Sequence, residues 1–388
     1  MKRIRFISVI IIALIAVSVL FPLTARADEL QDISNQLDLG YIEDFINEME
    51  GELSVYMNGF SLKALWNDIR NGEIKFDLSG LLTVLGRLFF KEAAASGGLL
   101  VQLIVLSMIS LILKNLSSAF GKGNVSALAH GVIYLLLIGI AVSGFSVAVS
   151  QARAAVTGAS DFLYASLPVL MTILASMGGI GSVSIVHPAM LVVLSIVISV
   201  VNNIIFPLIY FSAILGLVSH IVPKFNINKL SRLFKDVSIG ALGIMTTLFL
   251  AFLSISGIAS SSIDGLTVKA AKAAAGVFIP VVGKSLADSL DTVIGLSLVL
   301  KNGIGIIGVI IIIMVCAVPS LKILITSLIY KATAALVQPM GDDMLSDALN
   351  GLGSSLQMLF AVVAICGLFF FFLLVLMVGM GNITMMFR

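Results

Sequence analysis

The chain has 388 residues, 59% of them hydrophobic and only 11% charged, with a net charge of +2. Soluble domains carry roughly 45–50% apolar and about 25% charged residues, so a single water-soluble core cannot hold this excess. Long uninterrupted apolar runs, such as 132–140, exclude that class and point to lipid as the solvent.

The N-terminus reads as a secretory signal. Lys2, Arg3 and Arg5 precede the apolar run Phe6 to Phe21, Pro22 ends it, and Ala25-Arg26-Ala27 offers a small-x-small cleavage site. Ala25 and Ala27 are therefore the expected recognition residues, with residues 1–27 removed. An uncleaved anchor helix is the alternative.

Charge is unevenly spread. Residues 28–92 hold 13 acidic and 5 basic residues, whereas residues 93–388 hold 8 acidic and 14 basic. The acidic region, 28–98, is expected to be a small extracytoplasmic set of amphipathic helices. Ile42, Phe45, Ile46, Met49 and Leu53 share one helix face; Leu62, Leu65, Trp66 and Ile69 share another, with Ser61 as candidate N-cap. Leu78, Leu81, Leu82, Leu85, Leu88 and Phe89 make a third stripe. So short a region makes a thin core, which favours packing of these stripes on the membrane or on a partner.

Residues 99–388 predict an all-α, polytopic membrane domain. Spans are expected at 99–116, 127–149, 189–221, 237–258, 303–329 and 358–380. Two segments, 160–187 and 276–300, read equally as re-entrant, interfacial or crossing. The basic connector 222–236, with Lys224, Lys229, Arg232 and Lys235, is expected to be cytoplasmic, and both chain ends extracytoplasmic. Pro168 and Pro207, and Pro280 and Pro319, share one spacing, a faint sign of a parallel repeat offset by 112 residues.

Within the apolar part, few residues carry chemistry. Asn202-Asn203 precedes Phe206-Pro207, and two readings stand: interhelical hydrogen bonding, or the lining of a polar path. Lys284, Asp288 and Asp291 share a helix face, with Lys301-Asn302 beyond; they read either as conduit groups or as an interfacial face. Gly303-Ile-Gly305-Ile-Ile-Gly308 matches a dinucleotide fingerprint in form. It lacks the following acidic residue, so close helix packing is the expected role. Asp342-Asp343 reads as a solvated turn. Metal-ligand spacing is missing among His130, His187 and His220, and hydrolase, zincin and P-loop motifs are absent from the sequence, so no cofactor, no metal and no enzymatic activity are expected.

Several landmarks taken together resemble a known family. They are Leu167-Pro168-Val169-Leu170, Gly178-Gly179, His187-Pro188, Asn202-Asn203, Phe206-Pro207, Phe278-Ile279-Pro280-Val281-Val282-Gly283, the Asp288 to Asn302 stretch, Gln338-Pro339-Met340-Gly341-Asp342 and Gly381-Asn382-Ile383-Thr384. In order and spacing they resemble the stage III sporulation protein AE family, over nearly the whole mature chain. The resemblance implies a mother-cell protein in the outer membrane around the forespore. It implies a channel or feeding apparatus shared with the other stage III operon membrane proteins and stage II sporulation protein Q, sustaining late forespore gene expression. The acidic region would then face the intermembrane space, and nucleic acid is not an expected partner. A secondary transporter working alone on a small solute is the alternative.

Overall fold

The computed structural model describes residues 78–119, 124–177, 180–221, 227–278 and 283–386, with isolated residues between 40 and 67; side-chain surroundings are described for fewer of them. The expected signal, residues 1–27, lies outside the described residues. The helices are α1 (Leu78–Ala95), α2 (Gly97–Ala119), α3 (Asn124–Ser176), α4 (Ile180–Val200), α5 (Phe206–Ile221), α6 (Asn228–Phe278), α7 (Gly283–Val337) and α8 (Asp343–Met386). A π-helical turn, Val201–Ile205, joins α4 to α5, and a 3₁₀ turn, Gln338–Met340, leads to α8. No strand occurs among the described residues. An all-helical answer follows from the solvent, because a lipid-facing backbone must satisfy its hydrogen bonds within the segment.

Six stretches are long and apolar enough to cross a membrane: Gly86–Ile112, Leu135–Ser176, Val183–Ser219, Asn228–Ser256, Leu300–Val337 and Asp343–Met380. Each of the six overlaps an expected span, but the bounds move: the fourth begins at Asn228 rather than 237, the fifth ends at Val337 rather than 329 and the sixth begins at Asp343 rather than 358, and the first two differ in ways that bear on charge and topology. The first begins at Gly86 rather than near Leu99. It includes Glu92, whose carboxylate lies 4.0 Å from Lys322 Nζ on α7, so a charge that breaks the apolar reading has a partner in the fold. The second extends through 160–176, which continues α3 as helix; α4 then resumes at Ile180. The described residues of segment 160–187 are thus helical in 160–176 and again from Ile180. Likewise the described backbone of 276–300 belongs to the ends of α6 and α7.

α7 is the axis of the bundle. All residues from Leu300 to Ile312 are buried, and α8 folds back along it as an antiparallel hairpin. Close contact along this hairpin depends on glycine. A Cβ at Gly305 would come within 2.6 Å of Val378 Cγ2, and one at Gly308 within 2.8 Å of Leu374 Cδ2. Gly367 packs on Cys316 and Gly353 on Lys331. Gly305 and Gly308 of the triplet serve helix packing, because small residues let backbones approach in lipid. The hairpin turns on Gly341, whose φ of 90° is a left-handed conformation that favours glycine. Asp342 then caps α8, its Oδ1 accepting from Leu345 N–H at 3.3 Å. At 3% exposure Asp342 is a buried cap and not part of a solvated turn; only Asp343 is exposed.

α3 packs antiparallel to α7. Tyr330 hydroxyl donates to Ala141 carbonyl oxygen at 2.9 Å, and its ring lies against Gly144. Further along, Gly158 faces Val315, and Ser176 meets Ser297 at 3.2 Å. α5 joins α6 through paired serines, with Ser212 Oγ on Ser231 carbonyl oxygen at 2.8 Å and Ser231 Oγ on Ser212 carbonyl oxygen at 2.7 Å. The α4–α5 rod and α7 therefore run in the same direction, and Pro207 and Pro319 both fall near their middles. Pro168 lies inside α3. Pro280 lies outside the described residues.

Of the acidic region, Ile46 and Trp66 are buried, and both belong to the apolar cluster that continues through the bundle. Ser61 Oγ accepts from Ala64 N–H at 3.1 Å, the N-cap expected of it. Trp66 Nε1 donates to Glu43 Oε1 at 3.1 Å.

Candidate functional site

The centre of the apolar belt can be located from packing. Phe249 of α6 stacks on Phe369 of α8, with ring centroids 4.2 Å apart. Gly158, Asn202 and Cys316 lie near the middles of the stretches Leu135–Ser176, Val183–Ser219 and Leu300–Val337. Gly367 touches Cys316, whose neighbour Val315 faces Gly158. Thr157 in turn accepts from Asn202 Nδ2 at 3.4 Å. Phe249, Phe369, Cys316, Gly158 and Asn202 therefore share one level. With a hydrocarbon core about 30 Å thick, groups within about 15 Å of that level along a helix are at membrane depth.

Helix rise of ~1.5 Å per residue then assigns depths to the polar residues. Arg153 lies about 8 Å from this level on α3, and Asp161 about 5 Å to its other side. Lys301 and Asn302 are roughly 20 Å away, and Asp291, Asp288 and Lys284 on α7 are ~38 Å away or more. The last three therefore sit on helix backbone beyond the belt, with side chains outside the described residues. Asp161 and Arg153 are the charged residues that lie closest to the shared level on α3.

Asn202 and Asn203 do occupy the middle. Pro207 has no N–H to offer the carbonyl four residues earlier, and here the ladder widens. Phe206 N–H reaches Val201 carbonyl oxygen, five residues back, which makes the π turn Val201–Ile205. The displaced backbone takes an outside donor: Arg153 Nη2 bonds Asn202 carbonyl oxygen at 3.3 Å. Asn202 thus ties α4 to α3 twice, through its amide and its carbonyl, which supports the interhelical reading for this residue. Its Oδ1 is buried and has no hydrogen-bond partner among the described residues. Asn203 is exposed and donates to Ser199 Oγ at 3.3 Å, within its own helix. One asparagine holds helices together while the other faces outward.

Arg153 and Asp161 were not singled out from the sequence. Their signal was there: Arg153 lies between the expected span 127–149 and the ambiguous segment 160–187, and Asp161 lies at the start of that segment. Arg153, Asp161, Ser195, Ser199 and Asn203 are all exposed, and Tyr164 hydroxyl meets Ser195 Oγ at 2.9 Å. A charge at the bilayer centre costs on the order of 2.5–3.5 kcal/mol by insertion scales, so such groups occur where protein or water meets them.

Two further groups stand out. Lys301 and Asn302 are 0% and 1% exposed near the far edge of the belt, and Asn302 Oδ1 has no hydrogen-bond partner among the described residues. On the opposite side a cavity of about 590 Å³ is lined by Glu92, Gln151, Lys322 and Thr326 among apolar residues. Cys316 and Cys366 are buried free thiols. No cluster of three or more His, Cys, Asp or Glu that could hold a metal occurs among the described residues.

Fold and site together define a polytopic helical membrane protein with a charged, amide-bearing band at mid-depth. The stage III sporulation protein AE family model matches residues 60–381. Stage III sporulation protein AE of Bacillus subtilis (strain 168) is 35% identical over 366 residues, covering 94% of this chain and 92% of that protein. The chain belongs to the stage III sporulation protein AE family, which supports a role in sporulation. No solved structure matches it.

Proposed function

We propose that this protein is a membrane component of the channel or feeding apparatus that joins mother cell and forespore during endospore formation. Its family, shared along nearly the full length of the Bacillus subtilis protein, is the observation that carries this reading. The role is non-enzymatic and needs no cofactor. The protein sits in the mother-cell-derived outer forespore membrane, with the acidic N-terminal region in the intermembrane space.

The fold supplies a polarity for that placement. Lys229, Arg232 and Lys235 at the start of α6 gather at the same end as Lys331 and the α7–α8 turn, because Ser212 pairs with Ser231 and α8 residues Ala348 to Ser355 line the same recess. Basic ends remain cytoplasmic. The opposite end carries the α3–α4 and α6–α7 junctions and the end of α8. The start of α7, which carries Lys284, Asp288 and Asp291, then lies on the partner side. There the other stage III operon proteins and stage II sporulation protein Q are the expected partners. The test is affinity purification from sporulating cells. Recovery of those partners with this chain, and loss of late forespore gene expression on its deletion, are expected. Solute uptake by the purified protein alone in vesicles, with normal spores from the deletion strain, would favour a stand-alone transporter instead.

A further inference from the structure

The recess between α5, α6 and α8, at the basic end of the bundle, has a volume of about 210 Å³. Its depth follows from the level shared by Phe249, Phe369 and Asn202. Helix rise places Ser212 on α5 about 15 Å from that level, and Lys235 on α6 and Ser355 on α8 each about 21 Å from it. A hydrocarbon core about 30 Å thick, within a bilayer of about 40–45 Å including headgroups, puts this range in the headgroup zone. The lining is one-sided in charge. Arg232 and Lys235, three apart on α6, both face the recess. No carboxylate is among its described lining residues; Asp236 and Asp347 are exposed and lie outside it. Ser212 and Ser231 donate to each other's carbonyl oxygens, and Ser355 Oγ donates to Gly351 carbonyl oxygen at 3.1 Å. The donors facing the recess are then the Arg232 guanidinium, the Lys235 ammonium, the Asn228 amide and the Ser354 hydroxyl. Gly351, where an added Cβ would meet nothing within 4 Å, keeps the recess open. One turn deeper on the same stripe of α6, Ile239 is 52% exposed and offers apolar surface beside it.

We propose that this recess binds the headgroup of an anionic phospholipid, with the phosphate held by Arg232 and Lys235. Charge chooses the lipid class. Two cations with no carboxylate beside them suit a headgroup of net negative charge, whereas a zwitterionic headgroup would bring an ammonium that nothing in the recess meets. Size agrees, since at ~30 Å³ per water the recess holds about seven water volumes, room for a phosphate and a glycerol. Asn228 and Ser354 then face the glycerol hydroxyls, and an acyl chain leaves along Ile239 towards the middle of the membrane. Basic pockets between membrane helices recognise headgroups in this way. The site does not depend on the channel reading, since it concerns the lipid around this chain and not its partners.

The full chain, purified in detergent and stripped of lipid, tests it. Phosphatidylglycerol should raise the thermal unfolding midpoint and stay bound at one molecule per chain in native mass spectrometry. Phosphatidylethanolamine at the same concentration should do neither, and added salt should weaken the effect of phosphatidylglycerol. Arg232→Gln with Lys235→Gln should cut the bound phosphatidylglycerol severalfold. Gly351→Leu, which fills the recess and leaves every charge in place, should do the same. Each variant is read against its own lipid-free midpoint. Three results would overturn the proposal: equal binding of the two lipids; undiminished binding in either folded variant; or a midpoint raised by inorganic phosphate at concentrations as low as the lipid's, which would make this a site for a soluble phosphate. Should neither variant fold, the comparison of the two lipids and phosphate on the native chain decides alone. Failure of partner recovery from sporulating cells would leave this result untouched, so the two readings fail separately.

Discussion

At the scale of single residues, packing in lipid depends on shape more than on apolar area, because lipid tails are as apolar as leucine. Gly305 and Gly308 show this, since each faces a branched side chain at a distance that no Cβ tolerates without a shift. Gly308→Val should destabilise the α7–α8 hairpin by about 1–3 kcal/mol, the usual cost of overpacking. Thermal unfolding in detergent would read this as a lower midpoint, and Gly351→Ala, where nothing lies within 4 Å, is the control. Asn202 should behave more mildly. Asn202→Ala removes the bond to Thr157 but not the carbonyl that Arg153 uses. A loss of about 0.6 kcal/mol, the average for such bonds in membranes, is expected. An unfolding midpoint lowered as far as in Gly308→Val would show that Asn202 does more than join two helices.

At the scale of elements, helix length decides what lies inside the bilayer. α3 has 53 residues and α7 has 55, roughly 80 Å each, against a hydrocarbon core of about 30 Å. Apolar composition alone therefore cannot mark the crossing part. On α3 the apolar run 127–149 is the more obvious candidate, yet Ala141 is level with Tyr330, about 21 Å from Cys316 along α7. The contacts of Gly158 and Thr157 put the centre further along, in the stretch with Arg153 and Asp161. The α5–α6 corner offers a direct check on this arrangement. The Ser212 and Ser231 hydroxyl oxygens lie 3.4 Å apart, so Ser212→Cys with Ser231→Cys should form an intramolecular disulfide on oxidation. A thiol count that stays unchanged after oxidation would show that the two helices do not meet there. The projecting start of α7 makes a separate prediction. Asp288→Asn with Asp291→Asn should reduce partner recovery and spore yield while leaving the protein's membrane content normal. Normal recovery and yield would show these carboxylates to be an idle solvated face.

At the scale of the whole molecule, one orientation satisfies the basic end, the serine-paired corner and the α7–α8 turn together. In a strain with Cys316 and Cys366 replaced by alanine, Asn228→Cys and Gln338→Cys should react with a thiol reagent only after it enters the cytoplasm. Ser54→Cys should react with an impermeant reagent from outside. Labelling of Asn228→Cys from outside would reverse the assignment. Sequencing of the membrane-extracted protein should give Asp28 as first residue if Ala25-Arg26-Ala27 is cut.

What the sequence by itself determined is what composition and local pattern control. The apolar excess dictates helices, because lipid leaves the backbone no other partner. Local pattern was sufficient for the Ser61 cap, the glycine packing of 303–308 and the long apolar runs on α6, α7 and α8, since each depends on neighbours close along the chain. Only the tertiary structure decided depth and facing. On α3 the apolar run 127–149 is the plainer one in sequence; Tyr330, Val315 and Asn202, distant along the chain, put the middle further along, at Thr157 and Gly158. The same contacts separate Asn202, turned to Thr157, from Asn203, turned outward, although nothing in their order distinguishes them. Charges follow the same rule: Glu92 meets Lys322 across more than two hundred residues, a neighbour that no local pattern reveals.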